Sequence, residues 1–222
     1  IKHAYTNNIH KEQRLMQAKY ATSIPLASNS TRPWISPLLI LLSLMLGLSP
    51  LASTFAMHHK QGEAKSQESA QLALAESFID AFYSFDPAQL APLMAAAEES
   101  KPRLLYYQGW AEGGNYIVLE RASCAREEAN KVACPVTVQD DPVVALKTGF
   151  NVTDTFHLTF DGETLVAVDT SSNDQPIYYE ARKWVEANMP EVMSGPCKNR
   201  NTEDATPGEC ARAMTKGYAA YY

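Results

Sequence analysis

Residues 150–174 constrain the fold more than any other stretch of the chain. Phe150, Val152, Phe156, Leu158 and Phe160 alternate with Asn151, Thr153, Thr155, His157 and Thr159. A period of two sends these sets to opposite faces of a strand. Asp161-Gly162 then offers a tight turn, and Thr164–Thr170 reads as the returning strand. One residue breaks the pattern, because Asp154 is in phase with the apolar set. A lone carboxylate on a buried face must be paired, hydrogen-bonded or kept protonated. Acids of that kind are enriched in pockets. Asp154 is therefore the first candidate for a site, and its pKa is expected to rise if no cation meets it.

Upstream of the hairpin the period is helical. Leu72, Ala75, Phe78, Ile79 and Phe82 form one stripe within Ser69–Phe85. Asp86-Pro87 reads as an N-cap with proline at the first helical position, opening a short helix to about Ala97. Pro102–Gly109 allows a third helix or a strand through Leu104–Tyr107, and a helix is preferred because Gly113-Gly114 would end it. From Asn115 the period changes. Tyr116–Arg121 and Lys131–Val138 read as partner strands, with Ala125–Asn130 as the loop between them, and Gln139–Lys147 is less regular. Ile177–Asn188 returns to helical spacing, with Tyr178, Ala181, Trp184 and Val185 on one stripe, and a last helix is expected from Glu209 to Tyr221. Helices followed by strands indicate an α+β fold with helices on one face of an antiparallel sheet.

The N-terminal third points to export. The run from Trp34 to Ala52 is strongly apolar and follows Arg32, with Lys2, Lys11, Arg14 and Lys19 further back. Its dense part, Leu38–Leu48, fits the apolar core of a secretory signal, about 7–15 residues, better than a membrane span of about 20. Thr54-Phe-Ala56 supplies small residues for cleavage. The expectation is a signal or anchor in 1–56, with Met16 as one candidate start, then a flexible linker at 57–68. A folded domain at 69–194 and a C-terminal extension at 195–222 follow. The product is expected to be secreted or periplasmic. Membrane attachment is expected only if residues 34–52 are retained.

Five of the 19 Lys/Arg and one of the 25 acids lie before residue 57. That leaves 14 bases against 24 acids, a formal charge of −10 for the exported part. Such a surface repels nucleic acid and anionic lipid. All four cysteines, Cys124, Cys134, Cys197 and Cys210, lie in this part. An even number in an oxidising compartment implies two disulfides. Of the three possible pairings, Cys124–Cys134 and Cys197–Cys210 are expected, because each pair brackets one polar loop. No cysteine or histidine spacing suits a metal, and no nucleotide fingerprint or nucleophile elbow is present, so no metal or cofactor is expected.

In element order, and in the segments Ala75–Pro87 and Val152–Gly162, residues 69–194 resemble the nuclear transport factor 2-like superfamily, which includes ketosteroid isomerases and polyketide cyclases. The resemblance implies a curved antiparallel sheet packed on about three N-terminal helices, forming a cone with a pocket. It also implies site positions. Asp154 matches the protonated aspartate that donates to the substrate oxygen in the isomerases. Phe78 stands where they carry a tyrosine donor, and the stretch Ala95–Pro102 offers no clear match to their general base.

Asp154 as acid and His157 as base are thus the candidate catalytic pair. Phe78, Phe82, Tyr83, Tyr107, Trp110 and Phe156 are the candidate wall of an apolar pocket. The preferred expectation is an exported protein that binds a small apolar or amphipathic molecule without chemistry. The alternatives are an isomerase or cyclase using Asp154, and an interaction module or homodimer through the sheet face.

Overall fold

The first helix, α1, runs unbroken from Ala52 to Tyr83. The computed structural model describes residues 52–222, and their side chains from Glu63 onward. The expected signal or anchor before residue 52 lies outside the described residues. The segment expected to be a linker, 57–68, is helical instead. Its composition explains this, since Lys, Gln, Glu and Ala are good helix formers even without an apolar stripe. Gln67 and Gln71 donate to the Gly162 carbonyl at 3.2 and 2.6 Å, and Arg126 pairs with Glu68 at 3.4 Å, which ties this polar stretch to the sheet.

The apolar stripe of α1 is buried as its spacing predicts. Ala75, Phe78, Ile79 and Phe82 are inaccessible to solvent. Phe78 and Phe82 meet Phe156 edge-on, with centroids 5.9 and 4.7 Å apart. Such pairs add about 0.5–1.5 kcal/mol each beyond area burial. Phe85, at a φ of 57°, turns the chain out of α1. Asp86 then caps α2 (Pro87–Leu93) by accepting from the Ala88 amide at 2.9 Å.

The third helix, α3 (Lys101–Gly113), is held by polar side chains in its middle and at its start. Buried Gln108, midway along it, donates to the carbonyls of Ala81 and Phe82 in the last turn of α1, at 2.9 and 3.0 Å. At its start the Ser100 hydroxyl accepts from the Val168 amide at 3.0 Å.

The strands are β1 (Ile117–Arg121), β2 (Ala125–Glu128), β3 (Lys131–Gln139), β4 (Val152–Asp161) and β5 (Thr164–Ser172). All pairings are antiparallel, in the order β1-β3-β4-β5, with β2 sharing the β1 edge of β3. β2 occupies part of the segment expected to be a loop. Its sequence, Ala-Arg-Glu-Glu, is fully exposed and carries no alternation for a pattern reading to detect. The short helix α4 (Asp141–Ala145) follows β3, capped by Asp140 accepting from the Val143 amide at 2.9 Å.

Two disulfides, Cys124–Cys134 and Cys197–Cys210, are formed, in the expected pairing. The first ties the start of β2 to β3. Beside it, Glu76 of α1 accepts from the Cys124 amide and from Arg121, both at 2.6 Å.

The chain ends in α5 (Pro176–Asn188), α6 (Pro190–Ser194) and α7 (Pro207–Tyr221). The last of these is no appendage, because residues 52–222 belong to one compact unit. α7 packs on α3, α4 and α5. Met214 and Tyr218 join Leu146, Ala181, Val185 and the Cys197–Cys210 bridge in a second apolar cluster beside the main core. A Cβ at Gly113 would lie 2.2 Å from the Gly208 Cα, so glycine is what lets the end of α3 meet the start of α7.

The architecture is thus α+β, an antiparallel five-stranded sheet packed against helices and held by two disulfides. Among the described residues no helix is long and apolar enough to cross a membrane.

Candidate functional site

The strict alternation of β4 decides which side chains meet the helices. Val152, Asp154, Phe156, Leu158 and Phe160 are buried, and the residues between them are partly exposed. Asp154 is only 4% exposed, opposite Val136 on β3 and Ser172 on β5. The carboxylate that broke the sequence pattern is therefore on the helix-covered face.

A cavity of about 270 Å³ lies at this point, between the ends of β4 and β5 and the helices α3, α5 and α7. Tyr107, Trp110, Tyr116 and Tyr178 supply aromatic wall. Asp140, Asp154 and Asp174 supply carboxyls, and Arg103, Arg182 and Arg200 supply guanidinium groups. Tyr106 and Tyr218 add hydroxyls.

Electrostatics divides this wall. Burial pushes the Asp154 carboxyl up to about 7, with the Tyr107 hydroxyl pulling the other way and the charges of Asp174 and Asp140 adding to the rise. Burial likewise raises Asp140 to about 6, against the lowering effect of the Val143 amide. The Asp154 carboxyl is thus available in part as a neutral hydrogen-bond donor near pH 7. Asp174 accepts from Ser172 at 2.5 Å and from Tyr179 at 3.2 Å. The arginines of the wall act in the opposite sense. Burial raises the Tyr106 hydroxyl, and the charges of Arg200 and Arg182 oppose that rise. Burial takes Tyr218 up to about 12, and the same two arginines are among the groups opposing it.

The arginines are not equivalent. Arg103 donates to the Val168 carbonyl at 2.6 Å and to Thr170 at 3.0 Å, and lies 3.5 Å from Asp169. Arg182 pairs with Glu186 at 3.2 Å. Arg200 has no carboxylate partner among the described residues.

Buried side-chain polar atoms without a hydrogen-bond partner concentrate here. Among the described residues they are Tyr83 Oη, Tyr106 Oη, Asp140 Oδ2, Asp154 Oδ2, Arg200 Nε and Tyr218 Oη. All but Tyr83 belong to residues that line the cavity. Native interiors leave few such atoms, each at a cost of about 1–3 kcal/mol.

Of the residues singled out from the sequence, Asp154, Tyr107 and Trp110 are on the cavity wall. Phe78, Phe82 and Phe156 are packed against one another in the core, away from the wall. Their apolar periodicity marked burial, and burial here means core. Tyr83 packs edge-on against Phe82 and Phe156, centroids 5.0 and 6.1 Å away, and Asp154 is among the charges that raise its hydroxyl further.

His157 is on the opposite face of β4, out of reach of anything Asp154 holds. Its Nδ1 lies 2.9 Å from Glu127 Oε2 and its Nε2 lies 2.9 Å from Ser171 Oγ. This carboxylate–imidazole–hydroxyl chain crosses the outer side of the sheet from β2 to β5.

Asp140, Asp174, Arg200, Tyr178 and Tyr218 were not singled out from the sequence. Asp140 carried one signal, the cap-like Asp-Asp-Pro run at 140–142. Arg200 carried another, its place between two bridged cysteines. Among the described residues no group of His, Cys, Asp and Glu is arranged to hold a metal ion.

No family model, curated protein or solved structure matches the chain.

Proposed function

We propose that this is an exported binding protein whose cavity takes a small amphipathic molecule, with no chemical conversion required. One observation carries the reading. Buried polar atoms lacking partners gather on the wall of a single cavity that also bears tyrosine and tryptophan rings. Ligand sites combine an aromatic or apolar wall with a few converging polar groups, and the desolvation cost of those groups is offset when a ligand pairs with them. The two disulfides suit a periplasmic or extracellular compartment. Helices preceding an antiparallel sheet support the nuclear transport factor 2-like cone as the finer description of the fold. The separation of His157 from Asp154 by the sheet weighs against an isomerase that uses both.

The test is native mass spectrometry of protein recovered from an exporting host, with Thr170→Phe as the blocked variant. Thr170 lines the cavity from the β5 side. Added mass that leaves on denaturation, and is absent from Thr170→Phe with an unchanged circular dichroism spectrum, is the expected result. Added mass retained by the blocked variant would move the ligand elsewhere.

A second reading, contact with another protein through the sheet, has its own support. Ile117 and Leu119 on edge strand β1 are 49% and 51% exposed. An uncovered apolar edge is a template for strand pairing. A monomer at high concentration by light scattering would dispose of a homodimer.

A further inference from the structure

We propose that the molecule bound in this cavity carries one carboxylate, received by Arg200, and that the Cys197–Cys210 disulfide is what positions this arginine. The inference rests on the cavity being a ligand site, and it adds the chemical class of the ligand.

Arg200 differs from the other two guanidinium groups of the wall. Arg103 is bound to β5, and Arg182 is paired along its own helix. Arg200 has a buried Nε with no partner, and no carboxylate pairs with it among the described residues. A guanidinium offers a planar fork that matches a carboxylate with two parallel hydrogen bonds. The hydroxyls of Tyr106 and Tyr218 sit within the influence of the same charge, Tyr106 beside Arg200 itself and Tyr218 beside Tyr178. The buried Nε of Arg200 is therefore a donor waiting for an acceptor. The carboxyls of Asp140 and Asp174 on the same wall disfavour a second negative charge. A monocarboxylate is favoured over a dicarboxylate or a phosphate for that reason. The volume, about 270 Å³, is at the small end of ligand pockets, which run from about 300 to 1,000 Å³. The ligand is small, with an aromatic or alicyclic body to lie against Tyr107 and Trp110.

The loop that carries Arg200 is built to hold it. Both neighbours, Asn199 and Asn201, have left-handed backbones, with φ of 58° and 61°. Asparagine tolerates that conformation better than most residues. The loop is closed by cysteines buried at 4% and 0% exposure. Thr206 adds a hydrogen bond to the Pro196 carbonyl at 3.1 Å across the loop's base. Without the bridge nothing comparable would keep the guanidinium at the cavity.

The experiment uses the disulfide-intact protein and matched pairs of acid and primary amide: benzoate with benzamide, phenylacetate with phenylacetamide, and cyclohexanecarboxylate with its amide. Affinities are read by ligand-observed NMR and calorimetry. The acid of at least one pair is expected to bind roughly tenfold or more tightly than its amide, as a charge-assisted pair implies. Arg200→Met should abolish that preference while the amide still binds. Replacing Cys197 and Cys210 by serine should also abolish it, and replacing Cys124 and Cys134 should not. Amides that bind as well as acids, or a preference that survives Arg200→Met, would overturn the carboxylate assignment and leave the cavity as a ligand site. If no acid or amide binds even at millimolar concentration, both this inference and the reading beneath it fall.

Discussion

Asp154 and His157, three residues apart on β4, point to opposite sides of the sheet. The first is buried beneath the helices at a cavity wall, and the second is bound by Glu127 and Ser171 on the outer side. An odd separation along a strand enforces this, whatever the side chains are. The two residues therefore answer to different environments, and their substitutions should be separable.

Asp154→Asn should change how stability depends on pH. The carboxyl is held at about 7 in the fold against an ordinary value of 3.8, chiefly by burial. The folded protein thus keeps this proton after the unfolded chain has lost it. Stability is full below about pH 4 and falls as pH rises toward about 7, by an amount on the order of 4 kcal/mol for an isolated group. Asparagine removes the titration at nearly the same volume. The variant should match the parent near pH 4 and exceed it near pH 8 in urea denaturation, with a residual slope left by Asp140. Equal differences at both pH values would show that Asp154 does not titrate as described.

His157→Ala should leave the cavity unaffected. The imidazole is partly exposed, and its neighbours Glu127 and Ser171 can turn to water when it is removed. Exposed polar pairs of this kind contribute about 0–1 kcal/mol. Any adduct seen by native mass spectrometry should persist in the variant, with a small loss in melting temperature. Loss of the adduct would mean that the outer face takes part in binding.

The hairpin, the helix stripes and the disulfide pairing were legible in the sequence because each rests on a local rule. Alternation put Asp154 inside, the spacing from Leu72 to Phe82 put four side chains into the core, and the two polar loops bracketed by cysteines marked the bridges. β2 was not legible, since Ala125–Glu128 has no apolar face to reveal. The helix through 57–68 was hidden for the same reason, because it gains its hold from Gln67, Glu68 and Gln71 reaching the sheet rather than from an apolar stripe. The cavity wall depended on contacts between distant parts of the chain. Tyr107 and Trp110 were visible as aromatics, but Arg200 meets Tyr106 only after α7 has folded back over α3. No spacing rule records that.

Gly113→Ala should destabilise the protein sharply. A Cβ there would sit 2.2 Å from the Gly208 Cα and 2.4 Å from its carbonyl oxygen, and backbone atoms cannot rotate away. The helix-propensity gain of alanine over glycine, up to about 1 kcal/mol, works in the opposite direction. The steric term should dominate, with a net loss of about 1–3 kcal/mol, the usual cost of overpacking. Thermal unfolding measures it. A gain in stability would mean that α3 and α7 separate more easily than their contact suggests.

Gln108→Leu tests how α1 and α3 are joined. The buried amide of Gln108 donates to the carbonyls of Ala81 and Phe82 in the last turn of α1, where the regular helix bonds have ended. Leucine fills a similar volume and supplies no donor. Each carbonyl keeps one local donor, the Ser84 hydroxyl at 2.8 Å on Ala81 and the Phe85 amide at 3.3 Å on Phe82, so what is lost is the second bond to each. The expected outcome is a loss of about 1–2 kcal/mol in urea denaturation with an unchanged slope. Hydrogen exchange should separate this from simple overpacking. Amides at the end of α1, Phe82 and Tyr83 among them, should lose protection before those of β4, because the defect is at that helix end and the sheet is untouched. Uniform loss of protection across α1 and β4 would mean that Gln108 supports the whole unit rather than this junction.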